Sequence, residues 1–322
     1  MTTDQITYLV FGIVLLVALI FDLGLLSRKN HKVTIKEALF QTFFWVGLAL
    51  AFFVFMWLEN GETIALQYIS AYLMEWSLSI DNIFVFVLIF TSFGVKEKNY
   101  GRVLLIGILM AIIFRVIFIA VGVALVQFEW VLYIFGVFLV YTGIKMFGSG
   151  IDDEFEPHKS KVYKYITRIF PLVPHDGNGK FTIMQDGKKF YTILFVVVLM
   201  LATIDIVFAL DSIPAVIGIS RDKMVIYTSN IFAVLGLRSL FFLLRGAVNK
   251  FDYLPQGIAV ILIFIGLKML GEHWINQWGI DETTQVVISL GVILVCIFGS
   301  IFYSMFVDKS PGDTDKPEKE IY

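Results

Sequence analysis

The sequence predicts an all-α polytopic membrane protein, with about nine transmembrane helices and two inverted three-helix repeats. Three observations predict this. Apolar residues make up 58% of the 322, against ~45–50% in soluble globular chains. Mean hydropathy is +0.82. Apolar runs long enough to span a bilayer as helices recur along the chain. The short alternating segments of a strand barrel are absent, and a net charge of -2 gives no footing for nucleic acid. The single cysteine, Cys296, rules out an intramolecular disulfide. No cleavable signal peptide is expected, because the first apolar run is long and lacks a small-residue cleavage pattern.

The predicted spans are 6–26, 39–58, 63–93, 103–126, 130–147, 190–219, 224–245, 255–272 and 285–306. Basic residues then sort to one side. Arg28, Lys29, Lys32 and Lys36 follow the first span; Lys96, Lys98 and Arg102 follow the third; Lys159, Lys161, Lys164, Arg168, Lys180, Lys188 and Lys189 fill the long loop after the fifth. The opposite loops carry few, Arg221 and Lys223 being the exceptions. Positive residues mark the cytoplasmic side, so the N-terminus is expected outside and the C-terminus inside. This alternation requires an odd number of spans.

Two stretches carry the same pattern: Glu75-Trp-Ser-Leu-Ser-Ile-Asp81-Asn82-Ile83 and Asp205-Ile-Val-Phe-Ala-Leu-Asp211-Ser212-Ile213. Beyond them, Arg115 to Gly148 aligns without a gap to Arg238 to Gly271, ending in Gly143-Ile-Lys145-Met-Phe-Gly148 and Gly266-Leu-Lys268-Met-Leu-Gly271. The repeating unit is three spans. Three is odd, so the second copy enters the membrane inverted, an architecture common among transporters. The chain accordingly divides into two N-terminal helices (1–62), repeat A (63–148), a cytoplasmic loop (149–189), repeat B (190–272), a last helix (273–306) and a charged, disordered tail (307–322).

The loop opens with acidic Asp152-Asp153-Glu154-Phe-Glu156. Lys159 to Phe170 is a basic amphipathic stretch with Val162, Tyr163, Ile166, Ile169 and Phe170 on one face, suited to the membrane interface. Lys180 to Phe190 reads as a hairpin turning at Asp186-Gly187. A clip packed on the bundle is the plainer reading; gating or partner docking is the other.

Ionised groups inside a bilayer cost about 2.5–3.5 kcal/mol each even on the mildest scale, so four in one doubled pattern point to a site for something positively charged. Six residues rotate about 240° on an ideal helix. Glu75 and Asp81 therefore cannot share an ion on a straight helix, whereas Glu75 and Asn82 share a face. Either the helix opens, with Pro214 as a cause in the sixth span, or the other repeat completes the ligands. One central site from Glu75, Asp81, Asp205 and Asp211, with Asn82 and Ser212 adding neutral oxygens, is favoured over two stacked sites. These hard oxygens suit Mg²⁺, Mn²⁺ or Ca²⁺. The histidines His31, His158, His175 and His273 fall in predicted loops, which argues against a zinc-type cluster.

Arg115 and Arg238 are the deep positive counterparts, and Asn230 is within expected reach of a bound ion. Four acids against two arginines leave two negative charges, matching one divalent cation or two protons. Asp22 and Lys145 read as helix-end residues, Lys268 as a partner of Glu272, and Met74 and Met200 as core filler.

At these motifs the chain resembles the TerC/Alx family of integral membrane proteins. The resemblance rests on Glu75 to Asn82, on Asp205 to Ala215 (the Asp-Ser-Ile-Pro-Ala run), on Thr228 to Arg238, on the stretch ending Gly266-Leu-Lys268-Met269, and on Pro174-His175-Asp176-Gly177. It covers most of the chain. It implies a bacterial inner-membrane protein related to LysE-type exporters, with manganese efflux and a role in metal and alkaline-pH homeostasis. Mn²⁺ is then the transported substrate and not a cofactor, and the bilayer and protons are the remaining partners. Spacing alone does not separate Mn²⁺ from Mg²⁺ or Ca²⁺. Export of a small organic solute stays open, as does a non-transporting scaffold in a metal or tellurite stress complex. No enzyme is expected, since neither a Gly-x-Gly-Asp nor a His-Glu-x-x-His motif is present.

Overall fold

A computed structural model describes residues 3–26, 33–148, 157–245 and 253–306. The side chains of Asp22 and Asp81, the acidic start of the loop and the predicted disordered tail lie outside the described set. The predicted spans fall on α1 (Thr3–Leu26), α2 (Ile35–Asn60), α3 (Glu62–Ser92), α4 (Glu97–Leu125), α5 (Glu129–Gly148), α7 (Ile193–Ile219), α8 (Lys223–Leu244), α9 (Leu254–Leu270) and α11 (Glu282–Phe306). Among the described residues seven of these are long and apolar enough to cross a membrane; α9 and the apolar part of α1 are shorter. The molecule is an all-α, multi-pass membrane protein. Large apolar side chains face outward on its rim, among them Phe40, Phe43, Val137, Tyr141, Val295 and Phe298, as a lipid-facing surface requires.

Local signals set several boundaries. Thr34 caps α2 in a capping box: its hydroxyl accepts from the Glu37 N–H, and the Glu37 carboxylate accepts from the Thr34 N–H. Asp222 caps α8 by accepting from the Met224 and Val225 amides. Between α5 and α7 come α6 (Lys161–Ile169), capped by Ser160, and a hairpin of β1 (Thr182–Gln185) and β2 (Lys188–Tyr191). Its two-residue turn, Asp186-Gly187, has φ of 51° and 72°, the left-handed pair that a tight hairpin turn needs. His273 falls in a short helix, α10 (Glu272–Gln277), not in the loop expected for it.

The expected opening at Pro214 does not occur: α7 runs through it unbroken. Proline removes a single amide, and the hydrogen bonds on either side of the gap keep the helix continuous. α3 is likewise continuous past Glu75 and Asp81. Side chains that meet must therefore come from different helices.

α8 lies at the centre, buried from Met224 to Phe242 at every position but Tyr227. α3 packs on α8, α4 on α7, and α5 along α9. Exchanging the two triplets maps α4–α7 onto α8–α3 and α5–α9 onto itself. The closest contacts follow the same exchange. A Cβ on Gly143 would meet the Ala259 carbonyl at 2.7 Å and Ile263; one on Gly266 would meet the Gly136 carbonyl at 2.7 Å and Val140. The aligned positions 136, 140 and 143 thus contact 266, 263 and 259 reciprocally, with backbones close enough to need glycine.

The loop packs on the end of the bundle where α3 turns into α4. Lys96 pairs with Asp176 at 3.1 Å. Arg102 donates to the Gly179 carbonyl at 2.9 Å and lies over the Phe181 ring. The His158 ring packs at a tilt against Phe93, with its Nε2 2.8 Å from the Ser92 carbonyl. The hydrogen bond from Lys96 holds the Asp176 carboxyl below the usual carboxylate range.

Candidate cation site in the membrane core

One side chain gathers the central acids. Arg115, from α4, donates through Nη1 to Glu75 Oε2 of α3 at 2.5 Å and to Asn230 Oδ1 of α8 at 3.1 Å. Its Nη2 donates to Asp205 Oδ1 of α7 at 3.3 Å. All four residues are at most 2% exposed. Asn230 is oriented by its own helix, because its Nδ2 donates to the Ile226 carbonyl at 2.9 Å, which turns Oδ1 toward the arginine.

Electrostatics explain the constellation. A buried carboxylate without a partner is strongly destabilising, so each acid needs the guanidinium. Two acids against one arginine still leave one negative charge within the cluster. Glu75 Oε1 and Asp205 Oδ2 are buried without a hydrogen-bond partner among the described residues, as are Ser77 Oγ and Ser212 Oγ. The cluster therefore presents carboxylate oxygens that accept nothing from the described residues, beside an amide oxygen. All are hard donors suited to an oxygen-loving cation. Among the described residues no three His, Cys, Asp or Glu side chains converge as a metal site. In this conformation the arginine occupies the place between the acids.

The other expected ligands sit as follows. Asn82 and Ser212 are buried, each two helical turns, about 10 Å, beyond Glu75 and Asp205 on the same faces; the hydrogen bonds of Arg115 reach neither. Asp211 is turned away from Asp205, as a straight helix demands. It is only half-buried and accepts from Thr142 of α5 at 3.5 Å. A single centre holding Asp211 together with Glu75 and Asp205 is not what the helices form. The Asp81 side chain lies outside the described set. Arg238 is buried elsewhere on α8 and donates to Gln41 Oε1 of α2 at 3.5 Å. The two aligned arginines thus have different surroundings. Lys268 donates to Ser289 at 3.2 Å and lies within electrostatic reach of Glu272, whose direct ion pair is with Arg221.

A second polar feature escaped the sequence reading. Ser220 Oγ donates to Gln67 Oε1 at 2.5 Å, and Gln67 Nε2 donates to Glu282 Oε1 at 2.7 Å. Gln67 and Ser220 are buried, and the network borders a cleft of about 560 Å³ with Asp222, Lys268 and Glu272 also on its walls. Gln67 stands eight residues before Glu75, about 80° round α3 from it. A lone amide within an apolar span was the signal available.

Residues 60–311 match the family model described as the integral membrane protein TerC family. Over 300 residues the chain is 41% identical to "Uncharacterized membrane protein STKORF319" of Myxococcus xanthus, covering 92% of each. It is 37% identical over 303 residues to an "Uncharacterized membrane protein" of Rickettsia felis, covering 94% of this chain and 99% of that one. It is 36% identical over 293 residues to "Putative membrane-bound redox modulator Alx" of Escherichia coli (strain K12), covering 88% and 89%. No solved structure matches the chain.

Proposed function

The chain belongs to the TerC family of integral membrane proteins, and from that premise we propose that it exports a divalent cation, Mn²⁺ first among candidates, across the bacterial inner membrane. The observation that carries this reading is the buried Glu75–Arg115–Asp205 cluster, in which one guanidinium is held by two acids that each keep an oxygen without a partner among the described residues. A structural ion pair alone needs one acid per arginine; the surplus acid and the added Asn230 oxygen favour a replaceable cation.

In this reading Arg115 is a tethered stand-in for the transported ion. A divalent cation takes over Glu75, Asp205 and the Asn230 amide oxygen, and the guanidinium withdraws from them. Asn82 and Ser212 continue the polar face along α3 and α7, and Asp211 with Thr142 forms a separate step. The Gln67–Ser220–Glu282 cleft is the mouth on the side that the charge distribution marks as external. Protons entering on the acids, in place of the departing ion, balance the charge. The chain acts as a transporter and not as an enzyme, with its N-terminus outside and C-terminus inside.

Flux of Mn²⁺, Mg²⁺ and Ca²⁺ into dye-loaded proteoliposomes, with and without a pH gradient, tests this. The reading expects Mn²⁺ flux that a proton gradient accelerates and that Glu75→Gln and Asp205→Asn abolish. Absence of any divalent flux in the unaltered protein would leave the organic-solute or scaffold readings in its place.

A further inference from the structure

The short helix α6 lies against α7 through the buried Ile166. Between them runs a groove of about 530 Å³. Its walls are apolar on both sides: Tyr165, Ile169 and Phe170 from the α6 segment, and Leu199 from α7, with Thr203 also in its lining. The Thr203 hydroxyl is bonded back to the Leu199 carbonyl, so it presents its methyl group and no free donor. Tyr165 and Ile169, one turn apart, are 68% and 52% exposed. Water is a poor occupant for such a groove, whose lining offers it few polar partners.

Charge along one edge narrows the occupant. Lys161, Lys164 and Arg168 stand at i, i+3 and i+7, and so form one stripe on α6. That stripe adjoins the Tyr165–Ile169 side, and Lys161 itself borders the groove. All three are exposed, and none pairs with an acid among the described residues. From Pro157 to Phe170 the sequence contains no acidic residue. An apolar slot flanked by a cationic stripe matches one ligand class, an acyl chain carrying a negatively charged headgroup.

We propose that the α6–α7 groove binds one anionic phospholipid, with an acyl chain along Ile169, Phe170 and Leu199 and its headgroup phosphate on Lys161, Lys164 and Arg168. The lipid sits on the face that the positive residues mark as cytoplasmic, where anionic headgroups are recognised by such clusters. It completes the contact of α6 with the part of α7 that leads directly into Asp205. The site is independent of any transported ion.

The full chain, reconstituted in nanodiscs of equimolar phosphatidylglycerol and phosphatidylcholine and then released, allows the retained lipid to be counted by native mass spectrometry. The unaltered protein is expected to retain phosphatidylglycerol over phosphatidylcholine several-fold. Lys161→Gln/Lys164→Gln/Arg168→Gln should bring the ratio close to one, and a control, Lys180→Gln/Lys188→Gln on the hairpin, should not. Thr203→Trp, which fills the groove and leaves the cations intact, should lower phosphatidylglycerol retention. Equal retention of both lipids by the unaltered protein would overturn the proposal, as would an unchanged preference in the triple variant.

Discussion

Glu75 of α3 and Asp205 of α7, which occupy aligned positions in the two halves of the chain, bond to the two terminal nitrogens of the same Arg115 guanidinium. Arg238, the aligned arginine, does not bond to either of these acids, and among its contacts is Gln41 of α2. The cluster is a place where the two triplets differ, and it is where the proposed exchangeable cation would act.

Arg115→Gln leaves two buried acids facing each other, and removing one partner of a buried pair costs about 3–5 kcal/mol. We expect a large fall in thermal midpoint in detergent. Arg115→Gln/Glu75→Gln should recover part of it, giving a non-additive double-mutant cycle. Mn²⁺ should raise the midpoint of Arg115→Gln more than that of the unaltered protein, because a ligand that binds only the folded state stabilises it. Non-additive losses with no Mn²⁺ effect would reduce the cluster to a structural ion pair.

Asp211 and Glu75 belong to separate groups of contacts, Asp211 with Thr142 and Glu75 with Arg115. Asp211→Asn and Glu75→Gln should therefore have additive effects on stability, within about 0.3–0.5 kcal/mol, although each lowers flux. Strong coupling between them would restore the single shared centre.

Gly143 and Gly266 meet opposing backbone at positions related by the repeat. Gly143→Ala and Gly266→Ala should each destabilise, by about 1–3 kcal/mol for overpacking, and by similar amounts. Gly47→Ala and Gly291→Ala, with nothing within 4 Å of the added carbon, should be neutral or slightly stabilising. A marked difference between the two interface variants would argue that α5 and α9 are not equivalent.

The Asp176 carboxyl is held low chiefly by the hydrogen bond from Lys96. Its contribution to loop docking is fully present above the unfolded carboxylate value, about 3.9. It is lost as pH falls through the lowered folded value. For a partly exposed pair this is about 0–1 kcal/mol. Limited proteolysis around Gly177–Gly179 should quicken at the acid end of that range. Asp176→Asn should show the quicker rate already at neutral pH.

The positions of the spans were legible because a bilayer enforces long apolar runs, and the hairpin because Asp186-Gly187 is a turn dipeptide. The amphipathic period of Lys159 to Phe170 likewise gave α6. Which acids meet was less legible. Residue spacing showed that Glu75 and Asp81 diverge on a straight helix, and the same rule separates Asp205 from Asp211. Choosing between an opened helix and cross-helix completion required the packing of α3, α4, α7 and α8. The unequal roles of Arg115 and Arg238 were hidden for a related reason. The repeat makes them equivalent in sequence, and the packing around each, Glu75, Asp205 and Asn230 at Arg115 and Gln41 at Arg238, distinguishes them.

Equilibrium binding of Mn²⁺ to the purified chain, followed by electron paramagnetic resonance of the free ion, tests the central claim most directly. The account predicts saturable binding of Mn²⁺, lost in Glu75→Gln/Asp205→Asn and tightened at least tenfold in Arg115→Gln, where the competing guanidinium is gone. Unchanged binding when both acids are neutralised would contradict it.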